Sequence, residues 1–403
     1  MSVTNIRVSL KFDNTAISVG QLVSLDRRIY FEYDNNFLKL HLNISPFALP
    51  LKAGIQTMDQ NVFEGLPGVF NDSLPDGWGR LLLDRFVRTQ GVPPDQLTPL
   101  DRLAHVGVHG MGALIYEPQA SDQNTVVHES LDGLALHAQQ ILRGSPDEVL
   151  PELLALNGSS AGARPKVMVS VDRKRKKIVC AVDPTLPQWL VKFSNTQEGE
   201  DAGAIEYVYS LMAKKAGIHM TETDLFPSKN SAGYFATQRF DRDYKKRFHA
   251  HTVAGLLQAD FRTATVDYCD LFSLTEKLTK NEQDARQLFR RAVFNVLAHN
   301  RDDHLKNFSF IMLPNGEWRL SPAYDLTFSS GPGGEQTTTV LGKGKNISIT
   351  DLEKLGAYAK LPHREILQCL ANVQDALREW PKLAKKHPVT KENIQLISRT
   401  FYL

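Results

Sequence analysis

Residues 299 to 310 read HNRDDHLKNFSF, entered from the apolar run LFRRAVFNVLA and left through FSFIML. Two aspartates, two histidines and two asparagines between core-like flanks mark a stretch built for charge or ligands. Asp302 and Asn307 stand five residues apart, the D-x-x-x-x-N spacing of a phosphoryl-transfer loop. In such a loop the carboxylate orients or deprotonates an acceptor hydroxyl, and the asparagine is one oxygen ligand of Mg²⁺. Asp325, in SPAYDL, follows a strand-like segment where a second metal carboxylate belongs. Lys192, in the apolar strand-like run QWLVKF, suits a phosphate-pairing lysine, and Glu206, fourteen residues on, suits its ion-pair partner.

Other chemistry competes for the same residues. His299, Asp302, Asp303 and His304 are all common metal ligands, and His299 and Asp303 could share a helix face. That opens a metal-hydrolase reading, although no third cluster completes a transition-metal site. His304 alternatively hydrogen-bonds the loop or lies near phosphates. Upstream, NGSSAGARPK (157–166) is small, polar and ends in cations, so its backbone could approach phosphate oxygens. It matches neither G-x-x-x-x-G-K-[ST] nor G-x-G-x-x-G, and by itself it also reads as an ordinary turn. The run Arg173–Lys177 is a solvated hairpin tip or a nucleic-acid patch.

Positioning elements are legible around these residues. IRVSLKF, AISVGQLVSL and RIYFEYD are rich in Val, Ile, Tyr and Phe and predict three early strands. FEGLPGVFNDSLPDGWGRLLLDRFVRTQG opens on turn residues and turns helical near Trp78, stopping at Gly91. PKVMVSVDRKRKKIVCAV predicts two strands around a basic turn. DAGAIEYVYSLMAKKAGI predicts an amphipathic helix closing at Gly217, and AGYFATQRFDRD a strand running into a polar connection. After about Asp243 the pattern is mainly helical, broken by the reactive stretch and a Gly/Thr-rich loop. The boundaries divide the chain into a β-rich region (1–120), a strand-rich region (121–242) and a helical region (243–403).

With 403 residues, 42% hydrophobic and 23% charged, the composition is that of an ordinary globular protein of two or three domains. A net charge of +2 carries no global field for nucleic acid or membrane. Three well-spaced cysteines, no leader-like N-terminus and no apolar run of ~20 residues predict a cytoplasmic protein with free thiols.

Taken in order, GQLVSLDRRIYFEYD, GVFNDSLPDGWGR, SSAGARPK, NRDDHLKNFSF and SPAYDL resemble the HipA family of serine/threonine kinases, toxins of bacterial toxin–antitoxin modules. The resemblance runs through nearly the whole chain. It implies an α+β fold: a protein-kinase-like, two-lobed arrangement with an extra β-rich N-terminal subdomain and a mainly helical C-terminal lobe. It also implies ATP and Mg²⁺, with Asp302 as catalytic base and Asn307 and Asp325 as metal ligands. Ala161, Gly162, Ala163, Arg164, Pro165, Lys166 and Lys192 would contact the nucleotide, with His304, Lys306 and Tyr324 in the same set. TQRFDR resembles the hinge, so Gln238, Arg239 and Phe240 would border adenine; Gln238 stands where the family more usually has Glu. Ser159, with Ser160 beside it, matches the family's self-phosphorylated position, although its hydroxyl could equally cap a turn. The implied partners are a small helix-turn-helix, HipB-like antitoxin, DNA mainly through that antitoxin, and a protein substrate such as glutamyl-tRNA synthetase. A catalytically silent antitoxin-binding co-repressor and a small-molecule kinase of the same fold remain open alternatives.

Overall fold

The β-branched and aromatic runs at the start of the chain form an antiparallel sheet. Its strands are β1 (Asn5–Lys11), β2 (Ala16–Leu25), β3 (Arg28–Tyr33) and β4 (Leu114–Glu117), in the order β3-β2-β1-β4. Ile6, Val8 and Leu10 are fully buried on β1. Leu25 pairs with Arg28 across a two-residue turn in which Asp26 and Arg27 both have positive φ (50° and 59°), the geometry that matches strand twist in a tight hairpin. Gly20 is required where β2 meets β3, because a Cβ there would lie 2.1 Å from the Glu32 carbonyl oxygen. The computed structural model describes residues 2–120, 129–144, 151–157, 162–172, 177–195, 198–262 and 266–403.

By their contacts the residues fall into two units: Met1–Gln197 with Thr237–Asp260 and Ile311–Glu317, and Glu198–Ala236 with Phe261–Phe310 and Trp318–Leu403. Besides the first sheet, the first unit contains the antiparallel strands β5 (Lys166–Asp172), β6 (Lys177–Val179) and β7 (Gln188–Lys192), with β5 between the other two. The central β5 is buried along nearly its whole length, as its continuous VMVSV run requires. The helix Gly77–Thr89 buries Trp78, Leu82, Leu83 and Val87 and stops two residues before Gly91, whose φ is +76°. The basic residues Arg173 to Lys176 lie outside the described residues.

Helices dominate the second unit. Tyr209, from helix Ala202–Lys215, packs edge-on against Trp380 and Phe294 at 5.6 and 6.1 Å, and Trp380 packs on Phe401 at 6.0 Å. Asp201, just before that helix, accepts hydrogen bonds from the Thr390 N–H and hydroxyl and from Asn393 Nδ2, fixing the start of helix Lys391–Ser398. Residues 198–236, grouped on sequence with the strand-rich region, therefore share their contacts with the C-terminal helices. Side-chain caps start the helices that lead to the reactive stretch: Asp267 with Asp270 for Tyr268–Thr279, and Asn281 for Glu282–Leu297. Cys180, Cys269 and Cys369 are free cysteines, and Cys369 is buried. Among the described residues no helix is long and apolar enough to cross a membrane.

Within the first unit, one buried polar tie joins segments distant in sequence. His251 bonds Asp72 through Nδ1 at 2.6 Å and Ser45 through Nε2 at 3.0 Å, and Asp72 also accepts the Thr252 N–H and hydroxyl at 2.7 Å. The connectivity is that of a hydrolase triad, but Ser45 has no exposed surface, so the group ties structure together rather than attacking a substrate. Neighbouring His249 is pushed down to about 3 by burial, with His251 adding to the effect. Asp72→Ala strands three donors in the interior and is expected to destabilise the protein by about 3 kcal/mol. Urea unfolding of the variant against the parent checks this; a loss below ~0.5 kcal/mol, the range of ordinary surface changes, would contradict it.

Candidate active site

The reactive loop is delivered by helix Glu282–Leu297, whose Leu288, Phe289, Ala292, Val293, Phe294 and Val296 are buried. The helix ends at Ala298, and His299 turns the chain with φ +57°. The Asn300 N–H donates back to the Asn295 carbonyl at 2.8 Å. Backbone bonds then clamp the loop from both sides: Arg301 N–H to Ser329 C=O (3.3 Å), Ser329 N–H to His299 C=O (3.1 Å) and Thr337 N–H to Arg301 C=O (3.1 Å). The His299 ring stacks on Phe328, with centroids 5.6 Å apart. Burial, helped by the Arg301 charge, lowers the His299 pKa.

The two adjacent aspartates part company here. Asp302 is exposed, whereas Asp303 is 1% exposed. The Asp303 carboxylate accepts from the Tyr268 hydroxyl (2.7 Å), Gln336 Nε2 (3.0 Å) and the N–H groups of Thr337 (2.9 Å) and Thr338 (3.1 Å). Asn295 Nδ2 donates to the Tyr268 oxygen at 2.9 Å, and Asn300 Nδ2 to Asn295 Oδ1 at 2.9 Å. Burial outweighs the four donors and pushes the Asp303 carboxyl up to about 6.

Asn307 sits at the end of a single 3₁₀ turn, Leu305–Asn307, and its Nδ2 donates to the Asp302 carbonyl at 2.7 Å. With the amide nitrogen engaged by the loop, Oδ1 is the side-chain atom left to bind a cation. Tyr324 donates to the Lys306 carbonyl at 2.6 Å and also bonds the Ser309 hydroxyl, tying the segment that carries Asp325 to the turn that carries Asn307. Asp325 itself is half-buried with φ +58°, an uncommon conformation outside glycine. Two hard oxygen donors on two tethered segments fit Mg²⁺, which keeps several waters and takes few protein ligands. Among the described residues no group of three or more His, Cys, Asp or Glu could hold a metal ion, so the cluster considered for a metal hydrolase does not form. The His304 ring lies 4.7 Å from that of Phe261, and Lys306 Nζ stands 5.0 Å from the same ring's centroid.

The remaining expected residues lie in the first unit, except Glu206, which is buried in helix Ala202–Lys215 of the second. Lys166 on β5 and Lys192 on β7 are direct cross-strand partners and are only 3% and 7% exposed. Directly opposed residues share a face of the sheet, and two cations there suit a polyphosphate. Gly162 has φ +107°, a conformation that residues with a side chain rarely adopt, and a Cβ on it would lie 2.6 Å from Lys166 Nζ. Arg164 spends Nε on the Phe193 carbonyl at 3.0 Å, and Phe193 N–H bonds the Pro165 carbonyl at 2.8 Å. Ser159, Ser160 and Ala161 lie outside the described residues.

In the hinge-like segment, the Arg239 N–H donates to the Gln188 carbonyl at 2.9 Å, joining the residue after Gln238 to β7. Asp241, 1% exposed, takes bonds from Arg239 (2.8 and 2.6 Å), Arg242 (2.6 Å) and the Gly112 N–H (2.7 Å). Burial alone would raise this carboxyl; the two guanidiniums outweigh it and hold Asp241 well below the usual carboxylate range. Sequence reasoning missed Asp241, Tyr268, Asn295 and Gln336, and the only local signal was polar residues placed where an apolar pattern expects core.

The raised Asp303 carboxyl has a signed consequence. A carboxyl titrating near 3.9 in the unfolded chain and at about 6 in the fold favours the folded state when protonated. Stability from this group is therefore present below pH ~4, falls as pH rises to about 6, and is level above. Urea unfolding of parent and Asp303→Asn between pH 4 and 8 is expected to show the parent losing about 3 kcal/mol relative to the variant across that window. Parallel curves would show that Asp303 does not titrate there.

Known proteins resemble this chain in family and fold. Residues 158–380 match the HipA-like C-terminal domain and residues 14–117 the HipA N-terminal domain. A candidate kinase of Sinorhizobium fredii is 26% identical over 345 residues, covering 80% of this chain and 78% of its own. A candidate kinase of Haemophilus influenzae is 28% identical over 135 residues, 30% of this chain and 39% of that one. Among solved structures, the HipA toxin of Shewanella oneidensis, in complex with HipB and operator DNA, superposes with a TM-score of 0.68 at 18% identity. That match covers 98% of this chain and 94% of the toxin, and the α+β, kinase-like fold expected from sequence is the one observed. With both domain families matched in order along the chain, the protein belongs to the HipA family.

Proposed function

We propose that this chain is an ATP- and Mg²⁺-dependent serine/threonine protein kinase acting as the toxin of a HipA-type toxin–antitoxin module. The observation that carries the reading is the loop from Asp302 to Asn307. Its base is exposed, its neighbour is locked inside, and the asparagine amide is bonded to the aspartate's own carbonyl. Mg²⁺-ATP, when bound, supplies the γ-phosphoryl group and neutralises its charge. Asp302 takes the proton of the acceptor hydroxyl. Asn307 Oδ1 and the Asp325 carboxylate hold the cation, and Lys166 and Lys192 bind phosphate oxygens. Gln238, Arg239 and Phe240 border the base, with Asp241 fixing the Arg239 side chain.

The finer assignments follow family membership. A HipB-like, helix-turn-helix antitoxin that brings operator DNA is supported by the complex in which the Shewanella oneidensis HipA was solved. An aminoacyl-tRNA synthetase such as glutamyl-tRNA synthetase is the proposed substrate class, and Ser159 or Ser160 the proposed self-modification site.

Incubating the purified protein and a cell lysate with labelled ATP, then identifying the labelled species, tests the activity directly. Asp302→Asn keeps the shape of the base but not its proton affinity, so transfer is expected to fall ~10²–10⁴-fold with ATP binding retained. Undiminished turnover would remove Asp302 from its role.

Asp325→Ala is expected to strip the Mg²⁺ dependence from nucleotide binding, read by titrating ATP with and without the metal. An unchanged metal response would make Asp325 a structural loop residue.

A further inference from the structure

We propose that Asp76, together with Gly77 and Trp78, is the positioning element that sets the phosphate-binding loop. The N-terminal region would thereby fix the protein's affinity for nucleotide. The inference rests on the assignment of residues 162–166 and Lys192 to phosphate binding.

Asp76 occupies the cap position of helix Gly77–Thr89, yet its side chain makes no cap bond to that helix. Its carboxylate instead accepts the N–H of Gly162. The Trp78 N–H, one of the donors every helix start leaves over, donates to the Gly162 carbonyl at 3.1 Å. Residues 76 and 78 thus take both backbone polar groups of Gly162. This N–H is committed to the helix and is not among those a phosphate would take.

The contact is shaped by glycines on both sides. Gly77 has φ +46°, and a Cβ on it would lie 2.6 Å from the Gly162 carbonyl oxygen and 2.7 Å from the Ala163 Cα. A Cβ on Gly79 would lie 2.5 Å from Asn157 Nδ2, on the near side of the same loop. Lys166 Nζ sits beside Gly162, 2.6 Å from where a Cβ would stand, and Lys166 lies directly across from Lys192. On this proposal, moving Gly162 disturbs the packing around the Lys166 ammonium. Residues 76 to 79 fall within the N-terminal family domain (14–117), whereas Gly162, Lys166 and Lys192 fall within the C-terminal one (158–380).

The test uses the full chain and its Asp76→Ala, Asp76→Asn, Gly77→Ala and Lys192→Ala variants. It measures Mg²⁺-ATP affinity by titration, the KM for ATP, kcat at saturation and the urea midpoint. Losing a hydrogen bond to a charged group is expected to weaken ATP binding about tenfold in Asp76→Ala, and a similar loss is expected in Gly77→Ala. The KM should rise by the same factor while kcat at saturation stays within about twofold, because the loss is in binding. Asp76→Asn, whose Oδ1 still accepts the Gly162 N–H, should recover most of the affinity. A merely structural residue would lower the urea midpoint and kcat together and leave the KM in place, and that outcome overturns the proposal. So does a folded Asp76→Ala that binds ATP like the parent while Lys192→Ala does not. If Lys192→Ala also binds ATP normally, the phosphate-site assignment fails first and the proposal with it. Should Asp76→Ala not fold, Gly77→Ala, which keeps the carboxylate, carries the same expectation and the same refutation.

Discussion

Asp303 is a carboxylate removed from water, met by donors from Tyr268, Gln336, Thr337 and Thr338, and the reactive loop is organised around it. Those donors come from the start of one helix and from the Gly/Thr-rich segment far downstream. A buried carboxyl left without partners would cost several kcal/mol, so the loop has one low-energy placement. With Asp303 held inward, its neighbour Asp302 is left exposed, where a proton-accepting side chain belongs. Asn307 then closes the turn on the Asp302 carbonyl, and Tyr324 brings in the segment bearing Asp325. The proposed catalytic and metal-binding residues are thus held by the hydrogen bonds of their neighbours.

The first unit uses the same device with different partners. Asp241, buried among Arg239 and Arg242, secures the hinge-like segment, and Asp76 secures Gly162. In each case an acidic side chain accepts hydrogen bonds from the backbone or a guanidinium of a segment that it holds in place. Such ties add modestly to stability but strongly to uniqueness, because slipping by one residue would leave a charge unmatched. Lys166 and Lys192, the proposed phosphate-binding pair, are direct partners across one strand pair and both are buried.

Much of this was legible in the sequence. Strands β1 to β3 lie within a residue of their expected ends because β-branched and aromatic runs between turn residues have few other solutions. The helix through Trp78 and the one closing before Gly217 follow from periodicity and stop signals. Asp302, Asn307 and Asp325 stood out by spacing and by polar character between apolar flanks, and the structure keeps Asn307 and the Asp302 backbone together. Arg164 directs Nε to the Phe193 backbone carbonyl, a bond that no local pattern announces.

What the sequence determined by itself is local: which runs become strand or helix, where they stop, and which short stretch gathers the reactive groups. Those follow from propensities and periodicities acting over a few residues. Tertiary structure alone decided which of two adjacent aspartates is buried, which glycine receives Asp76, and that residues 198–236 share their contacts with the C-terminal helices. Asp303 meets Gln336 across 33 residues and Asp76 meets Gly162 across 86, and a hydrogen bond over such a separation leaves no mark on either local sequence. It forms because each group, once placed by the packing of its own element, meets whatever partner the fold has brought within reach.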